Sequence, residues 1–156
     1  MPSVKVRTQP LFYFGEGLSY THFTYDNLSV TPHVDALGTV EISFDVINTG
    51  TCDGEEVAQL YVSDEYASML RPAKEFAGCK RVFIKAGEKA HLTFNVRADQ
   101  FAFLDSDMNW VIEQGKMNVM VGASSEDIRL TGSFDITETM VIIGKNRGYY
   151  AIGEVM

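Results

Sequence analysis

TVEISFDVINTG, Thr39 to Gly50, decides the fold class. Val40, Ile42, Phe44 and Val46 alternate with Glu41, Ser43 and Asp45. Successive strand side chains point to opposite faces, so this period of two describes a half-buried strand, ended by Asn48-Thr49-Gly50. The same alternation recurs in EKAHLTFNVR (88–97), where Ala90, Leu92, Phe94 and Val96 share a face. In DIRLTGSFDI (127–136) the set is Ile128, Leu130, Gly132, Phe134 and Ile136. EEVAQLYVSD (55–64) places Val57, Leu60, Tyr61 and Val62 on both faces, as a central strand does. FTYDNLSVT (23–31) and GKMNVMVGAS (115–124) supply two more strands. KEFAGCKRVFIKAGE (74–88) supplies a seventh, with neither face clean, running into a turn at Ala86-Gly87-Glu88.

About seven short strands separated by Asp53-Gly54, Ala86-Gly87 and Gln114-Gly115 predict an all-β, immunoglobulin-like sandwich, with a closed barrel as the alternative. One helical turn is expected near Ala98 to Phe101. The 156 residues suit one domain of 21–136, flanked by a connector (1–20) and a tail or linker (137–156) that packs on something. A chain of this length buries roughly 70% of its unfolded surface and needs no staples. Its two cysteines, Cys52 and Cys79, are read as reduced thiols. The net charge of −8 argues against nucleic acid and anionic membranes, both of which attract cations. No apolar run approaches the ~20 residues of a spanning helix. MPSVKVRTQ holds no signal-peptide core, which leaves cytoplasmic and secreted locations both open.

Asp105-Ser106-Asp107-Met108-Asn109 has the spacing that opens a calcium loop. Trp110 then stands where glycine is needed and Lys116 where a bidentate glutamate is needed, so the run reads as an Asx-type turn. Asp105 and Asp107 are also too close in sequence to enclose a sugar from two sides as a glycosidase pair. His22, His33 and His91 lack ligand spacing, and Gly15 and Gly17 lack the strand-to-helix setting of a phosphate cradle. Asn27-Leu28-Ser29 matches a glycosylation sequon, a tripeptide common by chance. Trp110, beside Val111 and Ile112, reads as core or domain interface. Tyr149 and Tyr150 are a second aromatic pair. Leu11, Phe12, Tyr13 and Phe14 form an apolar run that the sandwich core does not need.

Three stretches carry a resemblance. PLFYFGEGLSY (10–20) resembles the connector PLFPFGYGLSYT, with Tyr13 and Glu16 departing from it. Gln59 to Val62, Arg71-Pro72, Lys74-Glu75, Gly78, Arg81-Val82 and Gly87-Glu88 fit a second pattern, in which Phe76, Cys79 and Ala86 are substitutions. Asp105 to Phe134 matches a third closely. Together they resemble the fibronectin type III-like domain of family 3 glycoside hydrolases, over about residues 10 to 136. The resemblance implies a fibronectin type III-like β-sandwich and a parent enzyme of the β-glucosidase or β-xylosidase kind. In that family the nucleophilic aspartate lies on a TIM-like barrel and the acid/base glutamate in an α/β sandwich domain or an equivalent loop. Neither domain is in these residues, so no catalytic, cofactor or metal residue carries over. The implied role is non-catalytic: stabilising or docking the catalytic domains of the parent, with a second copy of the chain as another partner. Leu11, Phe12, Tyr13, Phe14 and Trp110 are the candidate docking residues. A carbohydrate-binding module and a self-associating structural domain are the alternatives.

Overall fold

The computed structural model describes residues 9–143, 147–149 and 151–155. Residues 1–8, Lys145 of the tail and Tyr150 of the tyrosine pair lie outside the described residues. One sheet contains β1 (Phe23–Val30), β3 (Thr39–Asn48), β6 (Lys89–Arg97) and β12 (Ile152–Val155), in that order. The other runs β2 (His33–Val34), β10 (Ile128–Ile136), β9 (Gly115–Gly122), β4 (Gly54–Asp64) and β5 (Glu75–Ile84). All neighbours are antiparallel except β2, which lies parallel to β10. A small third sheet orders β11 (Met140–Ile142), β8 (Trp110–Ile112) and β7 (Phe103–Leu104). One 3₁₀ turn, Ala98–Phe101, joins β6 to β7, where a helical turn is expected.

The all-β sandwich is as the alternation predicts, and each of the seven predicted strands is present, as β1, β3, β4, β5, β6, β9 and β10. The described residues hold twelve strands rather than about seven. The additional ones, β2, β7, β8, β11 and β12, are two to four residues long. A period of two needs at least four residues to show, so pairing with distant partners defines these strands and local pattern does not. Part of the expected tail is among them: β11 pairs with β8, and β12 extends the first sheet beyond β6.

The core lies between the two sheets. Val40, Ile42, Phe44 and Val46 of β3 and Leu92, Phe94 and Val96 of β6 meet Leu60, Val62, Val119, Val121 and Phe134 of the opposite sheet, all buried. Phe44 stacks between Tyr25 and Phe94, with ring centroids 5.8 and 6.0 Å apart. Burying each such large side chain contributes roughly 1.5–3 kcal/mol. β4 is central, and Leu60, Tyr61 and Val62 are buried on both faces as its composition predicts, whereas Val57 is exposed. The mixed pattern of β5 comes from a bulge. Leu60 faces Gly78 and Tyr61 faces Phe76, so Ala77 is the extra residue and the faces exchange there. The carbonyl of Ala77 accepts the amide of Ala151 and the Gln100 side chain, both at 2.9 Å.

Candidate docking surface

The outward face of β4 and β5 supports the connector. Gln59 and Tyr61 of β4 point away from the core set Ala58, Leu60 and Val62, yet both are buried. Gly15 and Ala123 lie against Gln59, and Phe76 against Tyr61. Gln59 Nε2 donates to the Gly15 carbonyl at 2.9 Å and to the Ala123 carbonyl at 2.5 Å. Its Oε1 accepts the Tyr61 hydroxyl at 2.6 Å. Burial pushes the Tyr61 phenol up, so it keeps the proton it donates. The Ser125 amide donates to the Phe14 carbonyl at 2.9 Å, and Lys74 Nζ donates to the Ser125 carbonyl at 2.5 Å. The Phe14 ring meets Phe76 edge-on at 5.3 Å, and Phe76 meets Tyr61 at 5.6 Å. The connector itself is a closed turn: the Glu16 amide donates to the Tyr13 carbonyl at 3.1 Å, and the Tyr13 amide to Glu16 Oε2 at 2.9 Å.

This hydrogen-bonded turn carries its apolar side chains outward. Leu11 is 90% exposed, Phe12 75% and Phe14 62%, while Tyr13 is half-buried. Phe76, Phe83 and Val57 are partly exposed on the same pair of strands. Leu11, Phe12, Tyr13 and Phe14 thus belong to one surface element.

Trp110 belongs to another. It starts β8 in the small sheet and is 37% exposed, neither core nor free platform. The Arg147 guanidinium lies 4.1 Å from its ring centroid and 5.7 Å from that of Tyr149. Burial pulls the Arg147 guanidinium down, and its Nη2 donates to the Gln100 carbonyl at 2.8 Å. Beside it, Arg71 lies 4.7 Å over Phe103 and pairs with Glu75. Leu70, Arg71, Pro72, Phe103, Leu104 and Trp110 line an open groove of about 340 Å³.

The aspartate run is committed to structure. Asp105 Oδ1 accepts the amides of Asp107 and Asn109, each at 2.9 Å, and the Asp105 carbonyl accepts the amide of Met108, which has φ of 64°. This is the Asx-type turn of the sequence reading, and it closes the hairpin between β7 and β8. Among the described residues, no group of three or more His, Cys, Asp or Glu side chains could hold a metal ion. Cys52 and Cys79 are free and exposed.

Gln59 escaped the sequence reading. The available signal was a polar residue in a strand that reads as buried on both faces, because such a group must find partners. Asn48 has the same character. It is fully buried, accepts Thr21 Oγ1 at 2.7 Å, and donates to the carbonyls of Cys52 and Ile84, both at 2.9 Å.

Comparison with known proteins agrees with this architecture. Residues 56–125 match the family described as fibronectin type III-like domain. The thermostable β-glucosidase B of Acetivibrio thermocellus is 37% identical over 150 residues, 95% of this chain and 20% of that protein. The β-xylosidase of Formosa agariphila is 43% identical over 122 residues, 75% of this chain and 16% of that protein. Among solved structures, β-glucosidase 3B from Thermotoga neapolitana in complex with α-D-glucose superposes with a TM-score of 0.80 at 31% identity, over 86% of this chain and 18% of that one. The GH3 β-glucosidase of Bifidobacterium adolescentis gives 0.74 at 36% identity, over 80% and 18%. The chain therefore spans about a fifth of the length of these relatives.

Proposed function

This chain belongs to the fibronectin type III-like domains of family 3 glycoside hydrolases, and on that premise we propose that it docks through Leu11, Phe12, Tyr13 and Phe14 onto the catalytic domains of a β-glucosidase-like enzyme and stabilises them. One observation carries the reading. The connector backbone is tied down by hydrogen bonds while Leu11 and Phe12 stand in solvent. An isolated domain gains by turning such side chains inward; a turn that holds them outward is shaped for a partner. The relatives are about five times longer, so that partner is another domain of the same enzyme. Trp110 and its groove extend the docking surface at the β8 end of the molecule.

A carbohydrate platform finds less support. A sugar-stacking ring needs an open face, and the Arg147 guanidinium covers one face of Trp110.

The test is a chimera in which this chain replaces the matching segment of the Acetivibrio enzyme. Leu11→Ser with Phe12→Ser should lower the melting temperature of the chimera by several degrees. The same pair should leave the unfolding midpoint of the isolated 156-residue chain nearly unchanged. A chimera indifferent to the pair, or an isolated chain that loses several kcal/mol as buried aromatics would cost it, would sink the docking reading.

A further inference from the structure

One buried side chain of the sandwich, Gln59, bonds directly to the connector backbone. Gln59 is 4% exposed, and both ends of its amide are engaged, with Gly15, Ala123 and Tyr61. It draws three separate pieces of chain together: the connector, the loop after β9, and β4 itself. Gly15 sits against it with φ of +76°, a left-handed conformation that L side chains rarely adopt. A Cβ there would fall 2.0 Å from Gln59 Oε1 and 2.6 Å from its Cδ and Nε2. The glycine is therefore needed twice, for its backbone angle and for the room it leaves the buried amide.

We infer that Gln59 and Gly15 form a latch that sets the direction in which Leu11 and Phe12 leave the sandwich. Gln59 is then a positioning residue for interdomain docking. The inference rests on the docking reading above and goes beyond it, because it assigns orientation to a residue that touches no partner. The physical reason is pre-organisation. A connector with free dihedrals loses conformational entropy when it docks. A connector already fixed by folding loses little more. The carbonyls of Phe14 and Gly15 both accept bonds from the sandwich, so the chain leaves its surface at a defined point. Phe14 on Phe76 adds an apolar contact at the same place.

The experiment has two arms. In the first, amide hydrogen exchange is followed in the full chain and in Gln59→Ala and Gly15→Ala. The reporters are the Glu16 amide, bonded to Tyr13, and the Ser125 amide, bonded to Phe14. Each variant should speed exchange at both by about tenfold or more while amides of β3 and β6 stay protected. Gly15→Ala acts from the connector and leaves the buried strand sequence intact, so it keeps the test open if Gln59→Ala unfolds the sandwich. Unchanged protection in Gly15→Ala overturns the latch. In the second arm the chimera carries each variant. Both should lower its melting temperature in the same direction as Leu11→Ser with Phe12→Ser. If the Leu11 and Phe12 pair lowers it and the latch variants do not, the positioning role is wrong and docking stands. If none of them lowers it, docking itself is wrong.

Discussion

Asp45 lies among the outward residues of β3, where a carboxylate is ordinarily hydrated, yet it is only 5% exposed. A bulge in β1 explains this. Asp26 pairs with Asp45 and Ser29 with Ser43, so one extra residue is accommodated, and Asn27 takes φ of 56°. Its amide then reaches Asp45 Oδ2 at 2.9 Å, with Lys89 Nζ at 2.9 Å on the same oxygen and His91 Nδ1 at 2.7 Å from the other. The hydrogen bonds from Asn27, His91 and Lys89 hold the Asp45 carboxyl well below the usual carboxylate range. Because the folded value is depressed, the stabilisation is complete above the unfolded value of about 3.9 and is lost as pH falls through the lower folded value. Asp45→Asn should therefore cost about 1–3 kcal/mol near neutral pH. The gap to wild type should narrow below about pH 4. Urea unfolding at stepped pH measures both, and a gap that does not change with pH would mean that Asp45 acts through packing and not through charge. The same bonds bear on the sequon, since the Asn27 amide nitrogen is already committed to Asp45.

At the scale of elements, β12 closes the open flank between the two sheets. It pairs with β6, Gly153 opposite Phe94, while Ala151 bonds to the β5 bulge at Ala77. A Cβ at Gly153 would lie 2.8 Å from Phe94 Cε1 and 3.1 Å from Lys80 Cβ, so only glycine lets the strand lie this close. Gly153→Val should displace β12, cost about 1–3 kcal/mol, and expose the β6 amides that face it to faster hydrogen exchange. Full protection of those amides in the variant would show that β12 adjusts without leaving. β3, β6 and β10 were legible because nine or ten residues of alternation outweigh local noise, and β4 because its apolar residues fill both faces. β12 was not, because IGEV has no alternation to read and its place depends on a glycine fitting against a distant phenylalanine. The bulges at Asn27 and Ala77 were invisible for a related reason: each is a property of two strands in register, and a sequence shows one strand at a time. The residues proposed for docking were half legible. Four consecutive apolar residues in a loop can be seen in sequence, whereas the amide that holds them, Gln59, lies 44 residues away from Gly15.

For the whole molecule, the question is whether a chain so similar to parts of glycosidases can act on a glycoside. Hydrolysis of a glycosidic bond takes two carboxyl groups on opposite sides of the scissile bond, about 5–5.5 Å apart for retention and about 6.5–9.5 Å for inversion, inside a site that holds the sugar. Asp105 and Asp107 come closest by sequence, and the fold puts them in one hairpin turn, with Asp105 Oδ1 accepting two backbone amides. Asp45 is surrounded by donors on both oxygens. Glu56, buried on β4, accepts the Tyr25 hydroxyl at 2.9 Å and lies 3.6 Å from Arg129, so it too is engaged. Each of these acids carries structure, and where Glu56 shares an open cleft with Asp127, Arg129 pairs with both. The isolated chain should therefore release no chromophore from aryl β-glucosides or β-xylosides between about pH 4 and 8, the range in which a carboxyl pair would work. Chelation should leave its thermal unfolding unchanged, because the Asx turn at Asp105 is closed by the protein's own amides. Hydrolysis that survives purification and disappears in Asp105→Asn or Asp107→Asn would assign chemistry to that hairpin. A melting temperature lowered by chelator and restored by calcium would show that the aspartate run binds a cation, since a structural site contributes directly to folding free energy.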